Sequence, residues 1–235
     1  MNKKFTYLLV FILICSFCVR VFASDSVYVW SDISLPEAVS TSTVLGENEG
    51  NFLNLTCGSA TLMEQSTGTI LYEHNSHEQL RPASVTKVMT ILLIMEALDG
   101  GTISLDDKVS CSEAASKMGG SQIWLDTTET LTVNEMLKAI CVVSANDASV
   151  AMAEHIAGSQ ELFVERMNKR AKELGMNDTC FKNCHGLDED GHVTSSNDIA
   201  LMSRELMVNH PSITNYTTIW IDTLRDGTSQ LVNNN

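Results

Sequence analysis

Pro82-Ala83-Ser84-Val85-Thr86-Lys87-Val88-Met89-Thr90-Ile91-Leu92-Leu93-Ile94-Met95-Glu96-Ala97-Leu98 is the stretch on which the reading of this chain turns. From Val85 to Leu98 apolar residues occupy nearly every face, and Gly100-Gly101 ends the run. A helix that is apolar all round is a buried one, so the segment predicts a central helix of a packed domain. Ser84 and Lys87 stand three residues apart at its start, which puts both side chains on one face. A serine hydroxyl is a poor nucleophile until a neighbouring base takes its proton. Lysine can be that base only if its pKa falls several units from about 10.4. Desolvation at the end of an apolar helix is a physical route to such a drop. A fall of about three units costs roughly 4 kcal/mol, which the surrounding fold must supply. The helix start also offers free N–H groups to an oxyanion. Taken alone, Ser-x-x-Lys reads equally as a serine cap with its lysine reaching water.

Upstream, Ser59 to Met63 and Thr69 to Tyr72 are short β-compatible runs around Gln65-Ser66-Thr67-Gly68, a hairpin pattern. Downstream the pattern is helical. Thr132-x-x-Glu135 is a capping box that opens a helix running to Val143. Further helices are expected over Ala148 to Ile156, stopped by Gly158, and over Gln160 to Leu174, stopped by Gly175. A fifth, capped by Asn197 or Asp198, ends before Pro211. Trp220 to Val232 returns to strand-like composition around Asp226-Gly227. The order is strands, a helical block, then the beginning of more strands, which predicts an α+β fold.

Ser144-Ala145-Asn146 falls between two of these helices, where side chains can project from a turn. A serine there can pass a proton between a lysine and a leaving amine. An asparagine can orient a peptide group through its amide. An ordinary helix start capped by Ser144 or Asn146 is the structural alternative.

The chain has 235 residues, 44% of them hydrophobic, and 29 acidic against 15 basic side chains, for a formal charge of −14. It can therefore bury a real core. The acidic balance excludes nucleic acid as a partner, since a phosphate backbone requires clustered Lys and Arg. Lys3 and Lys4 precede an apolar run from Phe5 to Val19, and Val21-Phe22-Ala23 supplies a cleavage pattern. The run is short of the ~20 apolar residues of a membrane span, so residues 1–23 read as a removable signal peptide and the protein as exported to the cell envelope or beyond it. Residues 24–56, rich in Ser, Thr, Glu, Asn and Gly, read as a polar leader, and a folded domain is expected over 57–235.

Five cysteines remain after Ala23: Cys57, Cys111, Cys141, Cys180 and Cys184. An odd number cannot all pair internally. Cys180-x-x-x-Cys184-His185 invites a metal or disulfide reading, but no second pair lies at zinc-finger spacing. Neither reading is adopted.

Ser84-x-x-Lys87 followed by Ser144-x-Asn146 resembles serine-type D-Ala-D-Ala carboxypeptidases, the low-molecular-mass penicillin-binding proteins of peptidase family S11. Ser59 to Asn75, Arg81 to Thr90, Gly119-Gly120-Ser121, Val143 to Ala148 and Phe181 to Asp188 share in the likeness, which spans about residues 57 to 235. The resemblance implies a β-lactamase/transpeptidase-like fold, with a helical lobe packed on an antiparallel sheet. It implies Ser84 as acylating nucleophile, Lys87 as general base, Ser144 as proton shuttle and Asn146 as substrate contact. Gly119 to Ser121 would lie near the cleft and His185 near its rim. The resemblance implies no metal or organic cofactor; the substrate would be the D-Ala-D-Ala end of a peptidoglycan stem peptide, and β-lactams would acylate the same serine.

The third motif of that family, Lys-Thr-Gly, does not occur in these residues; Ser66-Thr67-Gly68 lacks the lysine and precedes the nucleophile. The expectation is a domain whose last sheet strands are missing and whose activity is impaired, because one oxyanion donor is worth about 10²–10³ in rate. A membrane tether would likewise depend on sequence beyond Asn235. The competing readings are a wall-binding pseudoenzyme or gene fragment, and a class A-like β-lactamase. The latter is disfavoured because Glu165-Arg166-Met167-Asn168 lacks the lactamase glutamate pattern.

Overall fold

The computed structural model describes Leu53 and residues 55–233; the expected export segment and most of the polar leader lie outside the described residues. Strands β1 (Ala60–Met63) and β2 (Ile70–His74) form the anticipated antiparallel hairpin, with Ala60 opposite His74 and Leu62 opposite Tyr72. Its turn is tied by Glu64, whose carboxylate accepts from the backbone N–H and hydroxyl of both Ser66 and Thr67. Those bonds favour the ionised form and hold its pKa down to about 2.

The apolar stretch begins as a 3₁₀ turn, Ala83–Thr86, that runs into α1 (Lys87–Asp99). Met89, Leu92 and Ile94 are completely buried in it. Each such side chain contributes roughly 1.5–3 kcal/mol on leaving water. Strand β3 (Lys108–Ser110), the short α2 (Glu113–Ser116) and β4 (Thr130–Thr132) follow, β3 pairing antiparallel with β4. Thr132 and Glu135 close both halves of the capping box that starts α3 (Val133–Val143). Then come α4 (Asn146–Ala157), α5 (Gln160–Glu173), α6 (Ser196–Asn209) and α7 (Thr214–Thr217). The cap of α6 is Ser195, whose hydroxyl accepts from Asp198 N, and not Asn197 or Asp198 as expected. Strands β5 (Ile221–Leu224) and β6 (Ser229–Val232) form the last antiparallel pair.

The result is an α+β domain in which α1 packs against α3, α4, α5 and α6. Among the described residues the strands form three separate two-stranded antiparallel sheets. Between α5 and α6 the chain crosses the start of α1 without regular structure. Isolated bridges Leu80–Thr194 and Cys180–Val193 hold this crossing segment. Asn168 of α5 holds it too, exchanging side-chain bonds with both N–H and C=O of Phe181. Cys180 and Cys184 are free, as are Cys57, Cys111 and Cys141. No group of three metal-binding side chains occurs among the described residues.

Candidate active site

The site is built where the crossing segment meets the 3₁₀ turn. Lys87 is the first residue of α1 and is only 3% exposed. Its Nζ lies 3.3 Å from Ser84 Oγ and 2.6 Å from the carbonyl oxygen of His185. Burial pushes the amine down to about 8, the nearby Cys184 thiol acting in the opposite sense. The geometry suits a base. A neutral amine has two N–H groups and one lone pair. With one N–H given to the His185 carbonyl, the neutral amine can direct its lone pair to the serine hydroxyl.

The carbonyl is placed by the turn Asn183-Cys184-His185-Gly186-Leu187. Thr90 of α1 donates to the Cys184 carbonyl at 2.6 Å. Gly186 has φ +92°, and a Cβ on it would fall 1.9 Å from Ala83 O and 3.1 Å from Ser84 N. A side chain is therefore excluded, and the turn lies directly on the backbone that carries Ser84. Ala83 itself has φ +46°, an uncommon conformation for a residue with a Cβ. Thr86 is tied to the same segment by a 2.7 Å bond to His192 Nε2, while His192 Nδ1 accepts from Lys182 N at 2.9 Å. His185, expected at the cleft rim, is buried, and its Nδ1 accepts from Leu187 N. Burial, the Lys87 charge and His192 push its pKa down to about 4, so the ring is neutral.

Ser144 is the C-cap of α3, in the left-handed region at φ 57° and ψ 41°. It breaks the helix so that Ala145 can cap α4 and Asn146 can open it. Its hydroxyl is hydrogen-bonded to neither Ser84 nor Lys87 among the described residues. Asn146 is buried, its N–H donating to Ser121 O at 2.7 Å and its Nδ2 to Gly119 O at 2.8 Å. Gly120 presses on that amide, since a Cβ there would lie 2.7 Å from Asn146 Nδ2 and 3.5 Å from Leu187 Cδ2. The Gly119–Ser121 loop thus bridges Asn146 to the turn that rests on Ser84. Three contributors escaped the reading of the sequence: the His185 carbonyl, Asn183 and Asp147. Asp147 is completely buried and accepts from the backbone of Ile123, Leu125 and Ala148. An acid immediately after Asn146, in the first turn of a helix, was the available signal for it.

Residues 46–235 match the family model for D-alanyl-D-alanine carboxypeptidase, Peptidase_S11. The chain belongs to this family. It is 56% identical to the D-alanyl-D-alanine carboxypeptidase DacF of Bacillus subtilis over 180 residues, which cover 75% of this chain and 46% of the relative. The chain thus spans under half of that relative's length. Penicillin-binding protein 6B of Escherichia coli superposes with a TM-score of 0.72 at 36% identity, over 76% of this chain and 57% of that one. Penicillin-binding protein D2 of Listeria monocytogenes, in its ampicillin-bound form, gives 0.68 at 30% identity, over 78% and 74%. These relatives have the transpeptidase-like fold, so the α+β class holds for this S11 chain.

Proposed function

We propose that the protein is a serine D-Ala-D-Ala carboxypeptidase acting on peptidoglycan stem peptides, with Ser84 as nucleophile and Lys87 as its base. The observation that carries this reading is the buried Lys87 amine beside Ser84, with its pKa lowered to about 8. Ser84 Oγ attacks the carbonyl carbon of the penultimate D-Ala while its proton passes to Lys87 Nζ. Collapse of the tetrahedral adduct breaks the bond to the last D-Ala. The leaving amine takes up the proton through Ser144. Water then hydrolyses the acyl-enzyme ester. Asn146 orients the substrate peptide group with the amide oxygen that its bond to Gly119 leaves over. A β-lactam enters the same first step, opening its ring onto Ser84; the ampicillin- and cefotaxime-bound Listeria relative supports that extension. The acyl-enzyme from penicillin is long-lived, because the lactamase glutamate pattern is lacking. Residues 1–23 serve as an export signal and 24–56 as a polar leader, so that the domain acts in the cell envelope.

The test is mass spectrometry of the full-length protein after exposure to penicillin, together with release of D-Ala from a D-Ala-D-Ala-terminated peptide. A penicilloyl adduct on the peptide containing Ser84, absent in Ser84→Ala, is expected. Labelling that survives Ser84→Ala would overturn the assignment.

A further inference from the structure

The strongest bond to the Lys87 amine comes from a backbone carbonyl, and something must hold that carbonyl in place. The side chain that does so is Asn183. Its Oδ1 accepts from His185 N at 3.3 Å and from Gly186 N at 2.7 Å. Its Nδ2 donates to Leu187 O at 2.9 Å and to Glu189 Oε2 at 3.3 Å. The peptide unit between His185 and Gly186 consists of the His185 carbonyl and the Gly186 N–H. Asn183 Oδ1 holds the N–H end of that unit, and Lys87 Nζ holds the carbonyl end. A peptide plane fixed at its N–H end cannot rotate its oxygen away. Asn183 is itself 9% exposed and touches neither Ser84 nor Lys87 by a hydrogen bond among the described residues.

We propose that Asn183 is a positioning residue for the acylation chemistry: its side-chain oxygen clamps the His185–Gly186 peptide so that the His185 carbonyl aims the Lys87 lone pair at Ser84. This rests on the assignment of Ser84 and Lys87 as nucleophile and base. Asn183 acts on the rate of the covalent step and not on β-lactam binding. The clamp needs an uncharged acceptor two to three residues before the N–H groups it holds. Aspartate would set a second carboxylate against Glu189 and Leu187 O, whereas a threonine hydroxyl can accept in an ST turn without adding charge.

The experiment follows acylation of the full-length protein by a fluorescent penicillin over a concentration series. The saturating rate constant is thereby separated from the noncovalent dissociation constant. Asn183→Ala is expected to lower the saturating rate constant ~10- to 100-fold, as a misplacement on the order of 1 Å does, with the dissociation constant unchanged within about twofold. Asn183→Thr, whose hydroxyl oxygen can accept from the same N–H groups in an ST turn, is expected to recover most of the loss. Thermal melts of both variants are recorded alongside; if Asn183→Ala does not fold, Asn183→Thr decides alone by whether it acylates near the wild-type rate. Wild-type acylation in Asn183→Ala, an equal loss in the Ala and Thr variants, or a loss confined to the dissociation constant each overturns the proposal. Those outcomes leave the nucleophile assignment standing as long as the wild-type adduct maps to Ser84. If the wild-type adduct maps elsewhere, both readings fall.

Discussion

The Lys87 amine lies closer to the His185 carbonyl, at 2.6 Å, than to the Ser84 hydroxyl, at 3.3 Å. The two contacts act on different properties of the same nitrogen. The carbonyl fixes its direction, and burial sets its proton affinity.

Acylation therefore tracks the neutral amine. With the Lys87 pKa near 8, the rate constant for penicillin acylation is expected to rise about tenfold per unit below pH 8 and to level off above it. Lys87→Arg stays charged throughout, so it removes the rise and lowers the plateau by roughly 10²–10⁴. A flat wild-type profile across pH 8 would show that another group takes the proton. The same shift has a structural consequence. A lysine whose pKa is lower folded than unfolded opposes folding while both states hold the proton. Its cost, about 3 kcal/mol, is relieved as pH climbs from about 8 toward 10.5.

Gly186 tolerates no side chain. Its φ of +92° and the 1.9 Å approach of a Cβ to Ala83 O are independent reasons, and backbone on both sides prevents simple relief. Gly186→Ala is expected to cost on the order of 3 kcal/mol or more by urea denaturation and to abolish acylation, because the turn must lift off the Ser84 backbone. A variant of wild-type stability would mean that the turn does not rest there.

His185 makes the turn acid-sensitive. Its ring accepts from Leu187 N through Nδ1, and protonation turns that acceptor into a donor. The groups that act on the ring are Lys87 of α1 and His192, which oppose its charge, and Glu189, which favours it. A histidine pKa depressed from 6.5 to about 4 contributes stability that is complete above pH 6.5 and lost as pH falls through 4. The loss is at most about 3 kcal/mol. Urea midpoints measured on both sides of this window should separate wild type from His185→Gln in the acid half of the range. Parallel pH dependences in the two proteins would remove His185 from the account.

The parts legible in the sequence were those with local signatures. The buried α1, the Thr132 capping box and the hairpin at β1 and β2 announce themselves through spacing and turn composition. The β3–β4 pair does not. Its strands are three residues each and are separated by the segment from Cys111 to Glu129, so neither period nor turn reveals them. The cap of α6 was misplaced because Ser195-Ser196-Asn197-Asp198 offers four good capping residues in a row, and only packing chooses among them. The hold on Lys87 was invisible for a deeper reason. Its acceptor is a backbone carbonyl, which every residue possesses, and only the Gly186 conformation brings this one to the amine.

Asp147 should be the costliest polar side chain to remove near the site. It is completely buried, and its two oxygens accept from Ile123 N at 3.1 Å, Leu125 N at 3.0 Å and Ala148 N at 2.9 Å. Two of these donors belong to the segment that continues the Gly119–Ser121 loop, so the carboxylate pins that loop to the first turn of α4. Arg225 closes the arrangement from outside, donating to Ile123 O at 3.1 Å while pairing with Glu129. Asp147→Ala strands three buried donors, each worth about 1–3 kcal/mol, and partial hydration should leave a net loss of about 3–5 kcal/mol. Asp147→Asn keeps one oxygen but turns an NH₂ toward a backbone N–H, so about 1–3 kcal/mol is expected. Asn146 shares the loop through Gly119 and Ser121, so Asp147→Asn should also slow penicillin acylation while the adduct stays on Ser84. Chemical denaturation of the two variants checks the order. An alanine variant no less stable than the asparagine one would mean that the three N–H groups find other partners, and that the loop is held by Arg225 instead.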